Sequence, residues 1–234
     1  NDKHNLYCWS HRYLDPNHHF DLYEEDSWEC LFNSNPENVI LLSWPGLPNY
    51  HETYHVTRNL PACAALIEQL VYCGVKSLVV AGTCYEYGLQ HGPLKEDQYT
   101  DPLNCYSIAK DCLRRLITNQ YDPNDIRSCW ARIFYPFGEG QNPGSLFPSL
   151  IRAIEAGEKN FAIGSGHQLR DFIDVQEVAK MLLNLSLNKS AFGVFNIGSG
   201  QPQSLIEAVT CIIDEYKSDI KVISDAYPVR RDEA

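Results

Sequence analysis

An α/β fold, with a parallel sheet covered by helices on both faces, is what the sequence predicts. From Asn38 onward, segments rich in β-branched and aliphatic residues alternate with segments of helical period, the pattern left by successive βαβ units. The strand segments are nearly continuous apolar runs, which strands buried on both faces need. Gly74 and Gly157 stand just beyond two of the helical segments, where left-handed backbone ends a helix.

Asn38-Val-Ile-Leu-Leu-Ser43 is the first legible strand. Residues 57–73 follow as a helix with Leu60, Ala64, Leu66, Leu70 and Val71 near one face, stopped by Gly74. Residues 76–82 form a second buried strand. A loop holding Gly88, Gly92, Pro93 and Pro102 leads to a helix over 106–120 and a strand over 128–134. Between Pro136 and Ser149, three prolines and three glycines make a long loop of the kind that shapes a binding site, and a smaller lobe begins there. Further helices are expected over 147–156, over 175–187 with Asp174 as N-cap, and over 204–216 with the capping box Ser204-x-x-Glu207. Short strands at 161–163, 194–197 and 220–224 separate them. The expected division is a main domain over 1–140 and a mostly substrate-binding lobe over 141–234, with segments around 165–200 returning to the main domain. Residues 5–10 and 18–22 are strand candidates in a less legible start.

Composition removes several function classes. Lys and Arg number 19 against 30 Asp and Glu, a net charge of −11 and the wrong sign for gripping phosphate backbones, so no nucleic acid is expected as partner. The longest apolar runs, 77–82 and 181–187, fall far short of the roughly 20 residues of a membrane-spanning helix. The polar start Asn1-Asp2-Lys3-His4-Asn5 does not read as a signal peptide. Nine cysteines include no C-x-x-C pair, and Cys63, Cys73, Cys129 and Cys211 lie in apolar stretches as small hydrophobes, so a reduced, cytoplasmic protein is expected. Six of eight histidines precede residue 60, but adjacent His18 and His19 point to opposite faces of a strand, and no metal site is expected.

Tyr106 and Lys110 are four apart on a predicted helix, so their side chains stand on one face, one turn from each other. An ammonium beside a phenol favours phenolate and makes tyrosine a usable general acid/base. The same spacing also suits a solvated lysine beside a half-buried tyrosine. Upstream, a buried strand ends at Gly82-Thr83, and ligands of open α/β sheets bind outside such carboxyl ends. Thr83 is therefore a candidate donor to the oxygen on which Tyr106 acts.

Five ordered stretches resemble the extended short-chain dehydrogenase/reductase family of nucleotide-sugar epimerases, dehydratases and ketoreductases. Gly82-Thr-Cys-Tyr-Glu-Tyr-Gly88 is similar to its Ser/Thr turn, and Pro102-Leu-Asn-Cys-Tyr106-Ser-Ile-Ala-Lys110 to its Pro-x-x-x-Tyr-x-x-x-Lys. Residues 132–141, Arg170-Asp-Phe-Ile-Asp-Val175 and Phe195-Asn-Ile-Gly-Ser-Gly200 resemble the arginine strand with its loop, the Arg-Asp-Phe signature and the late Asn-Ile-Gly turn. The resemblance implies a Rossmann-type doubly wound sheet with a small C-terminal α/β substrate lobe, and a homodimer through the two long helices flanking the active-site strand. It implies Tyr106 as acid/base, Lys110 orienting the nicotinamide ribose and lowering the tyrosine's pKa, and Thr83 on the reacting sugar oxygen. It implies Arg170 on the substrate diphosphate, with an ion pair to Asp171 or Asp174 as the alternative. Asp21 matches a family aspartate at the adenine, with a surface turn as the alternative, and Asn59 reads as structural.

The sequence also departs from the family. Its first 35 residues contain no glycine, so the strand and glycine-rich turn that receive a dinucleotide pyrophosphate are not there. The expectation is a partial record lacking roughly 25 residues at the front, since the fold's first strand is central. Cys84 and Tyr85 stand where dehydratases carry Asp-Glu, which disfavours a 4,6-dehydratase. Tyr135 replaces a substrate-contacting asparagine, and Trp44-Pro45 interrupts a usual His-x-Ala segment, so substrate recognition is expected to be altered, with Cys84 and Tyr135 counted among the substrate-binding residues. Ser10-His11-Arg12 ends the second family strand. A basic residue there suits a 2′-phosphate, so within NAD(P) the preference is NADP, with Arg12 as a cofactor contact. The expected activity is reduction or epimerisation of a nucleotide-linked keto- or deoxy-sugar. The rival is a non-catalytic relative that binds nucleotide sugar or NAD(P).

Overall fold

The computed structural model describes residues 7–10, 19–121 and 126–227. A 3-10 turn, Glu25–Trp28, runs into α1 (Glu29–Asn33) and is followed by β1 (Asn38–Leu41), α2 (Leu60–Tyr72), β2 (Ser77–Thr83), α3 (Cys105–Gln120) and β3 (Arg127–Ile133). Then come β4 (Tyr135–Phe137), α4 (Leu146–Glu155), β5 (Asn160–Ala162), β6 (Leu169–Arg170), β7 (Phe172–Asp174) and α5 (Val175–Leu187). The described chain closes with β8 (Gly193–Ile197), β9 (Gln203–Ser204), α6 (Leu205–Glu215) and β10 (Lys221–Ile223).

The main sheet has the order β1-β2-β3-β8 with every pairing parallel, so the Rossmann-type α/β expectation holds. Side chains alternate across it. Leu78, Val80 and Trp130 face α2 and α3 with Leu66, Leu70, Ala109 and Leu113, whereas Val79, Cys129 and Ala131 face α5 with Val178 and Leu182. With both faces covered, every position from Ser77 to Val80 is buried, which is why the strand shows no polar alternation. Arg127 pins α5 to the sheet: its guanidinium donates to the carbonyls of Leu185 at 2.9 Å and Ser186 at 2.7 Å, two of the groups a helix end leaves unpaired.

A separate cluster of Leu150, Ala153, Val209, Ile213 and Ile220 forms between α4, α6 and the parallel pair β5–β10. Two smaller pairs, parallel β4–β7 and antiparallel β6–β9, carry the chain between this cluster and the sheet.

Element ends shift by one or two residues from expectation, and three differences have physical causes. The helix expected from residue 57 starts at His55, as a wide turn over His55–Asn59 ahead of α2. Pro61 in the first turn of α2 has no N–H for the Thr57 carbonyl, which fits a change of pattern from the wide turn to the regular helix at this point. Residues 7–10 and 19–22 are not strands, and the remainder of those two candidates lies outside the described residues. Phe20, Leu22 and Trp28 instead fold into the core against α2, and the short helical stretch Glu25–Asn33 was not expected. All nine cysteines are unpaired, but Cys73 and Cys211 are exposed rather than buried, because the apolar segments around them are amphipathic and both fall on the solvent side.

Candidate active site

β2 ends at Thr83 and the chain turns at once into a single 3-10 turn, Cys84–Tyr87. Thr83 is its N-cap: the hydroxyl accepts from Tyr85 N–H at 3.3 Å, and the Glu86 carboxylate reaches back to accept from Thr83 N–H at 2.9 Å. A Cβ at Gly82 would sit 2.2 Å from the Trp130 Nε1 and 2.7 Å from Glu86 Oε1, so only glycine lets these groups close over the strand end.

α3 is capped by Asn104, whose side chain accepts from Ser107 N–H at 2.9 Å, and Tyr106 thus falls in the first turn, its own N–H donating to Tyr50 O at 2.9 Å. Its phenol neighbours the Thr83 side chain. Burial pushes the phenol's pKa well above 10; the Thr83 side chain opposes this, while Tyr50, Glu86 and Cys84 add to it. One turn on, Lys110 is buried, donates from Nζ to Ala81 O at 2.7 Å and lies 3.8 Å from the Trp44 ring centroid. Burial brings it down to about 8. The expectation that Lys110 lowers the tyrosine's pKa is not met in this geometry. The ammonium is 6.0 Å from the Tyr106 ring centroid and turned towards the strand carbonyl, and loss of hydration dominates the phenol.

Trp44 and His55 back this pair. The Trp44 indole donates to His55 Nδ1 at 3.0 Å, and His55 Nε2 meets Asn49 O at 3.0 Å, so the ring is neutral with its proton on Nε2; burial depresses its pKa. His51-Glu52-Thr53-Tyr54-His55 has the spacing of a helical zinc motif. Yet His51 lies exposed in a turn before the helix and both nitrogens of His55 are engaged. Among the described residues no group of three or more His, Cys, Asp or Glu is arranged to hold a metal. Asn59 is buried and donates to Pro45 O at 2.9 Å while accepting from the Tyr23 hydroxyl, in line with a structural reading.

On the other side of Thr83, buried Cys84 is pushed up to about 12 by loss of hydration, which the Arg170 charge and the Tyr135 hydroxyl oppose. The Arg170 guanidinium lies 4.8 Å from the Tyr135 ring centroid. The carboxylates of the alternative reading are engaged elsewhere: Asp171 accepts from Ser199 and Gly200 N–H at 2.7 and 2.9 Å, and Asp174 caps α5 through Gln176 N–H at 2.7 Å. The structure therefore gathers Thr83, Cys84, Tyr106, Lys110, Tyr135 and Arg170 around one strand end. Asp21 forms a turn, accepting from Tyr23 N–H at 2.8 Å, and Arg12 lies outside the described residues. Sequence reasoning missed Glu86, His55 and Tyr50, and noted Trp44 only as a departure from the family pattern, not as the cover of Lys110. For Glu86 a signal existed, since Thr83-x-x-Glu86 has the same capping-box spacing as Ser204-x-x-Glu207.

Residues 1–198 match the model of a family described as NAD dependent epimerase/dehydratase family. The chain belongs to that family. Among curated members similar to it, a dTDP-6-deoxy-L-talose 4-dehydrogenase (NAD(+)) of Aggregatibacter actinomycetemcomitans is 28% identical over 197 residues, covering 84% of this chain and 72% of that protein. A GDP-6-deoxy-D-mannose reductase of Pseudomonas aeruginosa is 26% identical over 230 residues, covering 92% and 75%. Of solved structures, RMD from Pseudomonas aeruginosa complexed with NADPH superposes with a TM-score of 0.78 at 25% identity, over 94% of this chain and 77% of that one. MoeE5 in complex with UDP-glucuronic acid and NAD does so at 0.76 and 28%, over 92% and 73%. As an epimerase/dehydratase family chain, it has no helix among the described residues long and apolar enough to cross a membrane.

Proposed function

We propose that this chain is an NAD(P)-linked oxidoreductase of a nucleotide-linked keto- or deoxy-sugar, with Tyr106 as general acid/base. The observation that carries this reading is the placement of the buried Tyr106 phenol beside Thr83 at the carboxyl end of β2, with Lys110 one turn further along α3. A phenol held above its ordinary pKa is protonated at neutral pH, the state a general acid needs when a carbonyl is reduced. Thr83 orients that proton towards a substrate oxygen. Arg170, stacked on Tyr135, supplies a fixed cation for the diphosphate. The names of the talose dehydrogenase and the mannose reductase, both concerned with 6-deoxy sugars, support the substrate class.

The lysine suits a cofactor ribose. Its ammonium carries three donors, and among the described residues Ala81 O takes one of them, on the side of the sheet where a dinucleotide binds. When bound, the nicotinamide supplies or takes the hydride. Lys110 would hold the ribose hydroxyls, and Trp44 covers the ammonium from water. Dehydration lies outside the proposal, because Cys84 and Tyr85 offer no carboxyl group and the nearest one, Glu86, is bound to Arg132 at 2.8 Å.

The test is to mix the protein with NADH or NADPH and a panel of 4-keto nucleotide sugars, following nicotinamide absorbance and the sugar product. Tyr106→Phe is expected to lower kcat by about 10²–10⁴. Unchanged turnover in that variant overturns the assignment. An inverted sugar formed without net change in absorbance would identify an epimerase.

A further inference from the structure

Glu86 is the one carboxylate at the Thr83 turn, and nothing in the reading above gives it a task. Its side chain is fully buried, and every group recorded around it is a donor: Thr83 N–H at 2.9 Å, the Trp130 indole at 2.9 and 3.1 Å, and Arg132 Nε at 2.8 Å, with Arg114 Nε at 3.8 Å. A protonated carboxyl would need an acceptor for its own hydrogen, so these surroundings select the carboxylate, against the upward push of burial. Structure alone does not require such an arrangement, since a buried ion pair stabilises little that an apolar pair of equal volume would not. What the carboxylate does hold is the residue that stands beside the acid. Thr83 N–H is bound to Glu86, and the Thr83 side chain neighbours the Tyr106 phenol in the first turn of α3.

We propose that Glu86, clamped by Arg132 and Trp130, is a positioning residue that sets the Thr83 turn and, through it, the direction and pH dependence of proton transfer by Tyr106. This rests on the reading of Tyr106 as the acid/base. The chain of contacts runs from β3, through Glu86, to the last residue of β2 and on to α3, so the acid is aligned by the sheet rather than by a loop. Other groups face Tyr106 too: Tyr50 and His55 with ring centroids at 5.5 Å, Cys84, and Lys110 at 6.0 Å. Those groups stay unchanged when only Glu86 is altered.

The experiment compares Glu86→Gln, the charge-neutral pair Glu86→Gln/Arg132→Gln, and Tyr106→Phe in steady-state reduction of the best 4-keto nucleotide sugar across pH, with folding checked by circular dichroism. An amide has one acceptor for donors that now share two carboxylate oxygens, so the turn loosens. The expected result is a loss in kcat of roughly 10- to 100-fold with KM within about threefold. The alkaline limb of the profile should move to lower pH, because Glu86 no longer opposes phenolate formation. If Tyr106→Phe keeps full activity, the underlying reading fails. If Tyr106→Phe is inactive but a folded Glu86 variant keeps wild-type kcat and pH limb, the positioning role alone fails. Failure of both Glu86 variants to fold would overturn the proposal by assigning the residue to stability.

Discussion

Lys110 Nζ lies 3.8 Å from the centre of the Trp44 ring and donates to Ala81 O at 2.7 Å, so an ammonium is held in an almost dry position between an indole face and a strand carbonyl. The arrangement brings the lysine down to about 8, and that difference from 10.5 costs the charged folded state about 3 kcal/mol at neutral pH. Lys110→Met should therefore be more stable than wild type at pH 7, by up to about 3 kcal/mol, while losing turnover. The folded lysine releases its proton near 8 and the unfolded one near 10.5, so wild type regains this difference as pH rises through that window. Cys63 and Cys84, at about 11 and 12, act in the opposite sense above 9, because folded thiols keep protons that unfolded ones lose. Urea unfolding of both proteins at several pH values, read as their difference, isolates the lysine. A constant difference from pH 7 to 10 would contradict this account.

His55 gives a second pH signature, on the acid side. Its folded pKa lies below the ordinary 6.5, so the unfolded chain takes up a proton that the folded one refuses, and stability falls as pH drops below 6.5. Protonation on Nδ1 would also abolish the acceptor of the Trp44 indole. Thermal melting between pH 7 and 5 should show a steeper loss in wild type than in His55→Gln, and parallel curves would remove His55 as the cause.

Tyr135 neighbours both Cys84 and Arg170, so under the proposed function it would stand between the reacting end of the substrate and its diphosphate. Tyr135→Leu stays apolar but removes the ring face beneath Arg170 and the hydroxyl near the Cys84 thiol. We expect KM for the nucleotide sugar to rise about tenfold, the scale of a buried cation–π contact, with kcat within about twofold. A loss confined to kcat would move Tyr135 from substrate holding to proton transfer.

Much of this protein was determined by the sequence alone. Apolar runs, helical periodicity and the glycines at 74 and 157 are local properties, because they report how a segment must pack whatever its partners are. Tyr106 and Lys110 were legible for the same reason, their spacing being a feature of one helix. The tertiary structure decided what those residues experience. Whether an ammonium meets a phenol or a strand carbonyl depends on where Ala81 and Trp44 arrive from other elements, and burial, which no single segment sets, turned the tyrosine's expected pKa decrease into an increase. Glu86, His55 and Trp44 gained their places in the same way. Their partners, including Trp130, Arg132 and Asn49, come from other strands and loops, and electrostatic effects in a dry interior are set by distance in space rather than along the chain.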